Sequence, residues 1–232
     1  MASTSTAKKL ASGSHHPLQR LPSPSPTISA LIHLIGLTSF SLSYKYLFDF
    51  PTFINSSYGW HFQYLTIIGL TLAFLTFVFG FLADITLSTK LFFTQKLSFI
   101  MLGSLGGLDI FPPEIYISPY ADVGFHAMPA ILLTIDLLFL SPPWTINALP
   151  AMGLSSTLAV AYWAWVEQCF KYNGFYPYPL FGHLDTAQRA VLFTGAALTM
   201  TGSTAMLKWL YGRVNGLQGA QHRTTPNNIK GQ

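Results

Sequence analysis

The charged residues of this chain gather at the borders of long apolar stretches, and that distribution limits the fold more than any motif does. Asp, Glu, Lys and Arg make up 9% of the sequence, against roughly a quarter in soluble domains. From Trp60 to Leu82 there is none of them. As a helix such a run extends about 34 Å, enough to cross a hydrocarbon layer of ~30 Å. The expected fold is therefore all-α: a polytopic transmembrane helical bundle.

Six spans are predicted, at about residues 28–48, 60–82, 98–117, 123–140, 151–170 and 187–211. The first is polar for a span, with His33 and three serines. The third contains Gly103, Gly106, Gly107 and Asp109, a composition that suits a tilted, broken or re-entrant segment. Residues 28–212 form the expected membrane domain. The Ser/Thr/Pro-rich residues 1–27 and the tail 213–232 are expected to be disordered. Residues 1–27 lack an apolar core, so they do not resemble a cleaved signal peptide, and the run from Ile28 reads as a retained first span.

The net charge is +4. Its cations flank apolar runs, a topology signal and a contact for anionic lipid rather than for nucleic acid. Six spans put both termini on one side, with Lys8, Lys9, Arg20, Lys90, Lys96, Lys208, Arg213, Arg223 and Lys230. Lys45, Lys171 and Arg189 remain on the other. Nine against three favours cytoplasmic termini. An endomembrane site, such as the endoplasmic reticulum, or the plasma membrane is expected. The lone cysteine, Cys169, permits no internal disulfide.

Polar groups are costly in lipid and tend to face a bundle interior or a wet cavity. Thr66, His126, Asp136 and Glu167 stand out on that ground, with Asp109 and His183 more ambiguous. Thr66 is expected about two turns into the second span and His126 at the start of the fourth, near the same face. Each has a plain alternative. A helical Thr ordinarily bonds its own i−4 carbonyl, and a His at a span end is often an anchor or a packed residue. Asp136, about 15 Å deeper than His126, and Glu167 are candidate supports for that imidazole; the plain alternatives are a structural carboxylate tied to polar neighbours at Asp136 and a side chain facing the interface at Glu167. The sequence has no Gly-x-Ser-x-Gly elbow, no His-Glu-x-x-His, no paired cysteines and no phosphate-cradling glycine loop. No cofactor and no metal are expected.

Three stretches carry a resemblance. Tyr58-Gly59-Trp60-His61-Phe62-Gln63-Tyr64-Leu65-Thr66 resembles the opening of the second span in the androgen-induced-gene-1 family, which includes the androgen-dependent TFPI-regulating protein. Gly124-Phe125-His126, with Asp136 ten residues on, is similar to that family's Gly-x-His segment. Tyr172-Asn173-Gly174-Phe175-Tyr176-Pro177-Tyr178-Pro179-Leu180-Phe181 resembles its aromatic Tyr-Pro loop. The resemblance covers about residues 28–212. It implies a multipass threonine hydrolase cleaving fatty-acid esters of hydroxy fatty acids, with Thr66 as nucleophile, His126 as base and a lipid substrate drawn from the bilayer. The chain departs from the animal members at Glu167 and Gln168, where those have a paired His, at Pro129, displaced by two residues, and in its Pro-rich amino-terminal extension. Two other classes stay open: a small transporter or channel lined by Thr66, Asp109, His126, Asp136 and Glu167, and a non-catalytic scaffold packed through Gly195, Ala196 and Ala197.

Overall fold

A computed structural model describes residues 19–88, 90–91, 117–142 and 148–215. Among these there is helix and no strand. The elements are α1 (Ile28–Asp49), α2 (Leu65–Thr86), α3 (Pro119–Leu140), α4 (Ala148–Asn173), the short α5 (Leu180–His183) and α6 (Thr186–Asn215). Helices α2, α3 and α6 are both long and apolar enough to cross a membrane. Helices α1 and α4 have comparable lengths, 22 and 26 residues, but no stretch as apolar as those in the other three. The third expected span, apart from Ile117, lies outside the described residues, as does Asp109.

Helix α1 packs antiparallel on α2, and α4 on α6, while α3 bridges the pairs. Their interiors are apolar: Phe40, Leu70, Ala73 and Phe77 are 0–1% exposed. Gly36 makes the α1–α2 approach possible, since a Cβ there would stand 2.2 Å from the Phe77 ring. Outward-facing positions are also apolar. Leu31, Leu34, Ile35 and Leu42 on α1 and Val191, Leu198 and Met206 on α6 are exposed, as suits a surface solvated by lipid.

The end of the bundle that holds residues 50–64 also holds the start of α2, the start of α3 and the end of α4. Tyr46 near the end of α1 accepts the Ser118 amide at 3.3 Å, and Asn173 pairs with the backbone of Tyr58. We call this the loop end. Helices α2 and α3 thus run in the same direction. At the opposite end, Arg20 bonds the Val214 carbonyl, and Asn215 bonds the Leu138 carbonyl at 3.1 Å.

Several boundaries differ from the sequence expectation. The second span starts at Leu65 and reaches Thr86 rather than running 60–82, because residues 60–63 form a 3-10 turn entered through Gly59 at φ +83°. A Cβ at Gly59 would also meet Cys169 Sγ at 2.9 Å. The segment from Gln19 to Thr27, expected to be disordered, lies against the bundle, with the Leu21 amide on the Phe139 carbonyl at 2.9 Å and the Ser25 amide on Asp84 at 2.8 Å. The last helix runs on to Asn215.

Candidate functional site

Helix α2 begins where it does because its neighbours take the carbonyls that would extend it backwards. Trp165 Nε1–H donates to the Phe62 carbonyl at 3.0 Å, and Tyr162 O–H donates to the Gln63 carbonyl at 2.9 Å. Tyr64, 3% exposed, is extended and caps the helix. The Leu65 amide is received by the Tyr178 hydroxyl at 3.1 Å. Thr66 therefore sits in the first turn of α2, not two turns in.

That position decides what its hydroxyl does. Thr71, Thr76 and Thr86 of the same helix all donate to their i−4 carbonyls, at 2.6–2.7 Å. For Thr66 that carbonyl belongs to Phe62, outside the helix and already bonded to Trp165. Thr66 Oγ1 is buried and has no hydrogen-bond partner among the described residues. The ordinary reading of a helical threonine fails here for an identifiable reason.

Thr66 lines a cavity of about 610 Å³ at the loop end, within the 300–1,000 Å³ range of small-ligand sites. Its wall combines apolar side chains such as Leu47, Ile54 and Ile67 with a polar minority that includes His61, Tyr64 and Asp49. A second groove of about 430 Å³ shares Tyr46, Asp49, Phe50 and Tyr120 with it and runs between α1 and α3 past Lys45. His61 is 8% exposed, with Nε2 at 3.2 Å from Asn55 Oδ1. Burial pushes its pKa down to about 4, so it is a neutral imidazole at neutral pH. Burial pushes the Tyr64 phenol up.

His126 lies on a wide π-turn of α3, Val123–Ala127, that packs against both α1 and α2. The turn ends just before Pro129, which supplies no amide hydrogen. Phe125 contributes to the cavity wall beside Thr66. No hydrogen bond joins Thr66 Oγ1 to His126 in this state. His126 Nδ1 instead stands 2.8 Å from Asp122 Oδ1 and 3.1 Å from the Asp122 carbonyl.

The two carboxylates expected to support His126 are occupied elsewhere. Asp136 Oδ1 is 3.4 Å from His33 Nε2, and the other face of that ring meets Asp84, with Nδ1 to Oδ2 at 2.6 Å. All three side chains are fully buried at the end opposite the cavity. Asp84 also accepts from the Ser25 amide and the Ser29 hydroxyl, both at 2.8 Å. Glu167 binds Arg189 and accepts from Tyr176 O–H at 3.0 Å and Trp163 Nε1–H at 3.1 Å. Arg189 Nη2 reaches the Phe181 carbonyl at 2.7 Å, so this cluster pins the Tyr-Pro loop between α4 and α6. His183 ends α5 in the same loop region. No metal-binding group of three His, Cys, Asp or Glu side chains occurs among the described residues.

His61, Asp122, His33 and Asp84 were not singled out as site residues from sequence. His61 lies inside the quoted stretch before Thr66, and Asp122 stands four residues before His126, the spacing that pairs side chains on a helix. Asp84 fell just past the assumed end of its span.

Residues 28–106 and 110–212 match the family model described as FAR-17a/AIG1-like protein. A UPF0641 membrane protein of Schizosaccharomyces pombe is 28% identical over 203 residues, covering 79% of this chain and 90% of that protein. No solved structure matches the chain.

Proposed function

The chain belongs to the FAR-17a/AIG1-like family of membrane proteins, and from that premise we propose that it is an intramembrane esterase acting on lipid esters, with Thr66 as nucleophile. The observation that carries this reading is the Thr66 hydroxyl, buried and without the i−4 bond of its helix, on a residue that lines an apolar cavity. A fatty-acid ester of a hydroxy fatty acid suits the site. Its chains are apolar like the wall and the adjoining groove, and it reaches both from the bilayer.

Thr66 Oγ attacks the acyl carbonyl while His126 takes the hydroxyl proton. The tetrahedral intermediate collapses, the ester C–O bond breaks, and His126 returns the proton to the departing alkoxide. Water then hydrolyses the acyl-threonine, releasing the carboxylic acid and restoring the hydroxyl. Negative charge develops beside the first turn of α2, where helix amides and the macrodipole favour it. The reading requires the gap between Thr66 and His126 to close when substrate binds, as catalytic hydrogen bonds often do.

Among the described residues, the His33–Asp84–Asp136 set lies at one end and the His126–Asp122 and Glu167–Arg189 pairs at the other, with Phe40, Leu70, Ala73 and Phe77 packed between. That separation supports a hydrolase with a local site over a conduit lined from face to face. The test is hydrolysis of palmitoyl-hydroxystearic acid by purified wild type, Thr66→Ala, His126→Ala and His61→Gln. Loss of turnover in the first two variants with activity kept in His61→Gln is the expected pattern. Full turnover by Thr66→Ala ends the assignment, and the converse histidine result moves the base role to His61.

A further inference from the structure

We infer that Asp122 is the positioning residue of this site: its carboxylate accepts the Nδ1–H of His126 and thereby makes Nε2 the nitrogen that receives the Thr66 proton. The inference rests on the esterase reading and adds to it a residue outside the Thr–His pair.

The geometry is local. Asp122 and His126 lie one helical turn apart, with Oδ1 2.8 Å from Nδ1 and the Asp122 carbonyl at 3.1 Å from the same nitrogen. Both acceptors demand a proton on Nδ1, which fixes one tautomer of the neutral ring. When His126 becomes an imidazolium in the transition state, the carboxylate beside it offsets the new charge. The turn is held in place from α1, because a Cβ on Gly124 would stand 2.8 Å from Ser43 Oγ. Its neighbour Phe125 is 4% exposed and lines the cavity. Asp136 and Glu167, the other carboxylates considered for this role, have His33 and Arg189 as partners.

A purely structural account of the same contact exists. Asp122 stands in the first turn of α3, where a carboxylate favours the helix dipole, and an i, i+4 pair adds slightly to helix stability. The two accounts differ in what they do to turnover. The Asp122 side chain is 58% exposed and that of His126 33%, so Asp122→Asn leaves no buried charge stranded and the protein remains available for kinetics.

The experiment compares full-length wild type, Asp122→Asn, Asp122→Glu, Thr66→Ala and His126→Ala in lipid–detergent micelles. Palmitoyl-hydroxystearic acid hydrolysis, the rate of labelling by a fluorophosphonate probe and the melting temperature are measured for each. Asp122→Asn should lower kcat about 10- to 100-fold, with KM within about twofold, against the ~10²–10⁴ that general-base catalysis supplies. Labelling should slow in proportion, and Asp122→Glu should recover most of the loss. A kcat for Asp122→Asn within about twofold of wild type, with Thr66→Ala and His126→Ala inactive, overturns the role of Asp122 alone. A loss tracked by a lowered melting temperature and not relieved by Glu does the same. Wild-type turnover in Thr66→Ala removes the esterase reading itself, and this inference with it.

Discussion

A buried hydroxyl without a partner contributes nothing to stability that a methyl cannot supply, and at Thr66 this separates chemistry from folding. Thr66→Val should keep or slightly raise the melting temperature while hydrolysis falls at least about 100-fold, since it removes the proposed nucleophile. Thr71→Val is the control, because Thr71 donates to the Ile67 carbonyl and pairs with Tyr44. His61 carries a pH signature. Its folded pKa of about 4 lies below the ordinary 6.5, so the unfolded chain binds more protons between those values. Stability should therefore fall by about 2–3 kcal/mol as pH drops from about 6.5 to about 4, and should be flat above it. His61→Gln should remove that slope in a thermal melt series. Thr66 and His126 were readable as candidates because polar residues are conspicuous in apolar runs. The partners of Asp136 and Glu167 were not, since His33 and Arg189 lie far along the chain where no local pattern records them, whereas the i, i+4 spacing of Asp122 and His126 was there to be read.

Among the elements, α2 shows how tertiary contacts set a boundary that hydropathy misses. The run from Trp60 is apolar enough to begin a span, yet Trp165 and Tyr162 hold the carbonyls of Phe62 and Gln63 and delay the helix to Leu65. Trp165→Phe should free the Phe62 carbonyl for the Thr66 hydroxyl. Activity should then drop several-fold, with a stability loss of about 1 kcal/mol, read by kinetics and calorimetry on one preparation. At its other end α2 keeps Asp84 inside the helix because His33 on α1 and the Ser25–Ser29 turn satisfy it. Breaking such a buried set by His33→Leu should cost about 3–5 kcal/mol, measured as a shift in denaturant midpoint. The same contacts explain the order of residues 19–27. Their Ser/Pro composition suggested disorder, and only a partner far along the chain supplies the bonds that fix them.

At the scale of the whole molecule, the described bundle is apolar both inside and out, with leucines, valines and methionines outward and its ionisable clusters buried between helices or at the ends. That much, and the helical class, followed from composition alone. The meeting of Arg20 with Val214 brings the described ends of the chain to one end of the bundle, and the distribution of Lys and Arg predicts that this end is cytoplasmic. Glycosylation-site tags at either terminus should stay unmodified, while one inserted near Ser56 should be modified; the reverse pattern would invert the orientation. The proposed acyl-transfer site at Thr66 is tested most directly by the mass of the labelled peptide after reaction of the wild-type protein with a fluorophosphonate. The adduct should map to Thr66 and vanish with substrate competition. An adduct on another residue, or undiminished labelling of Thr66→Ala, would contradict it.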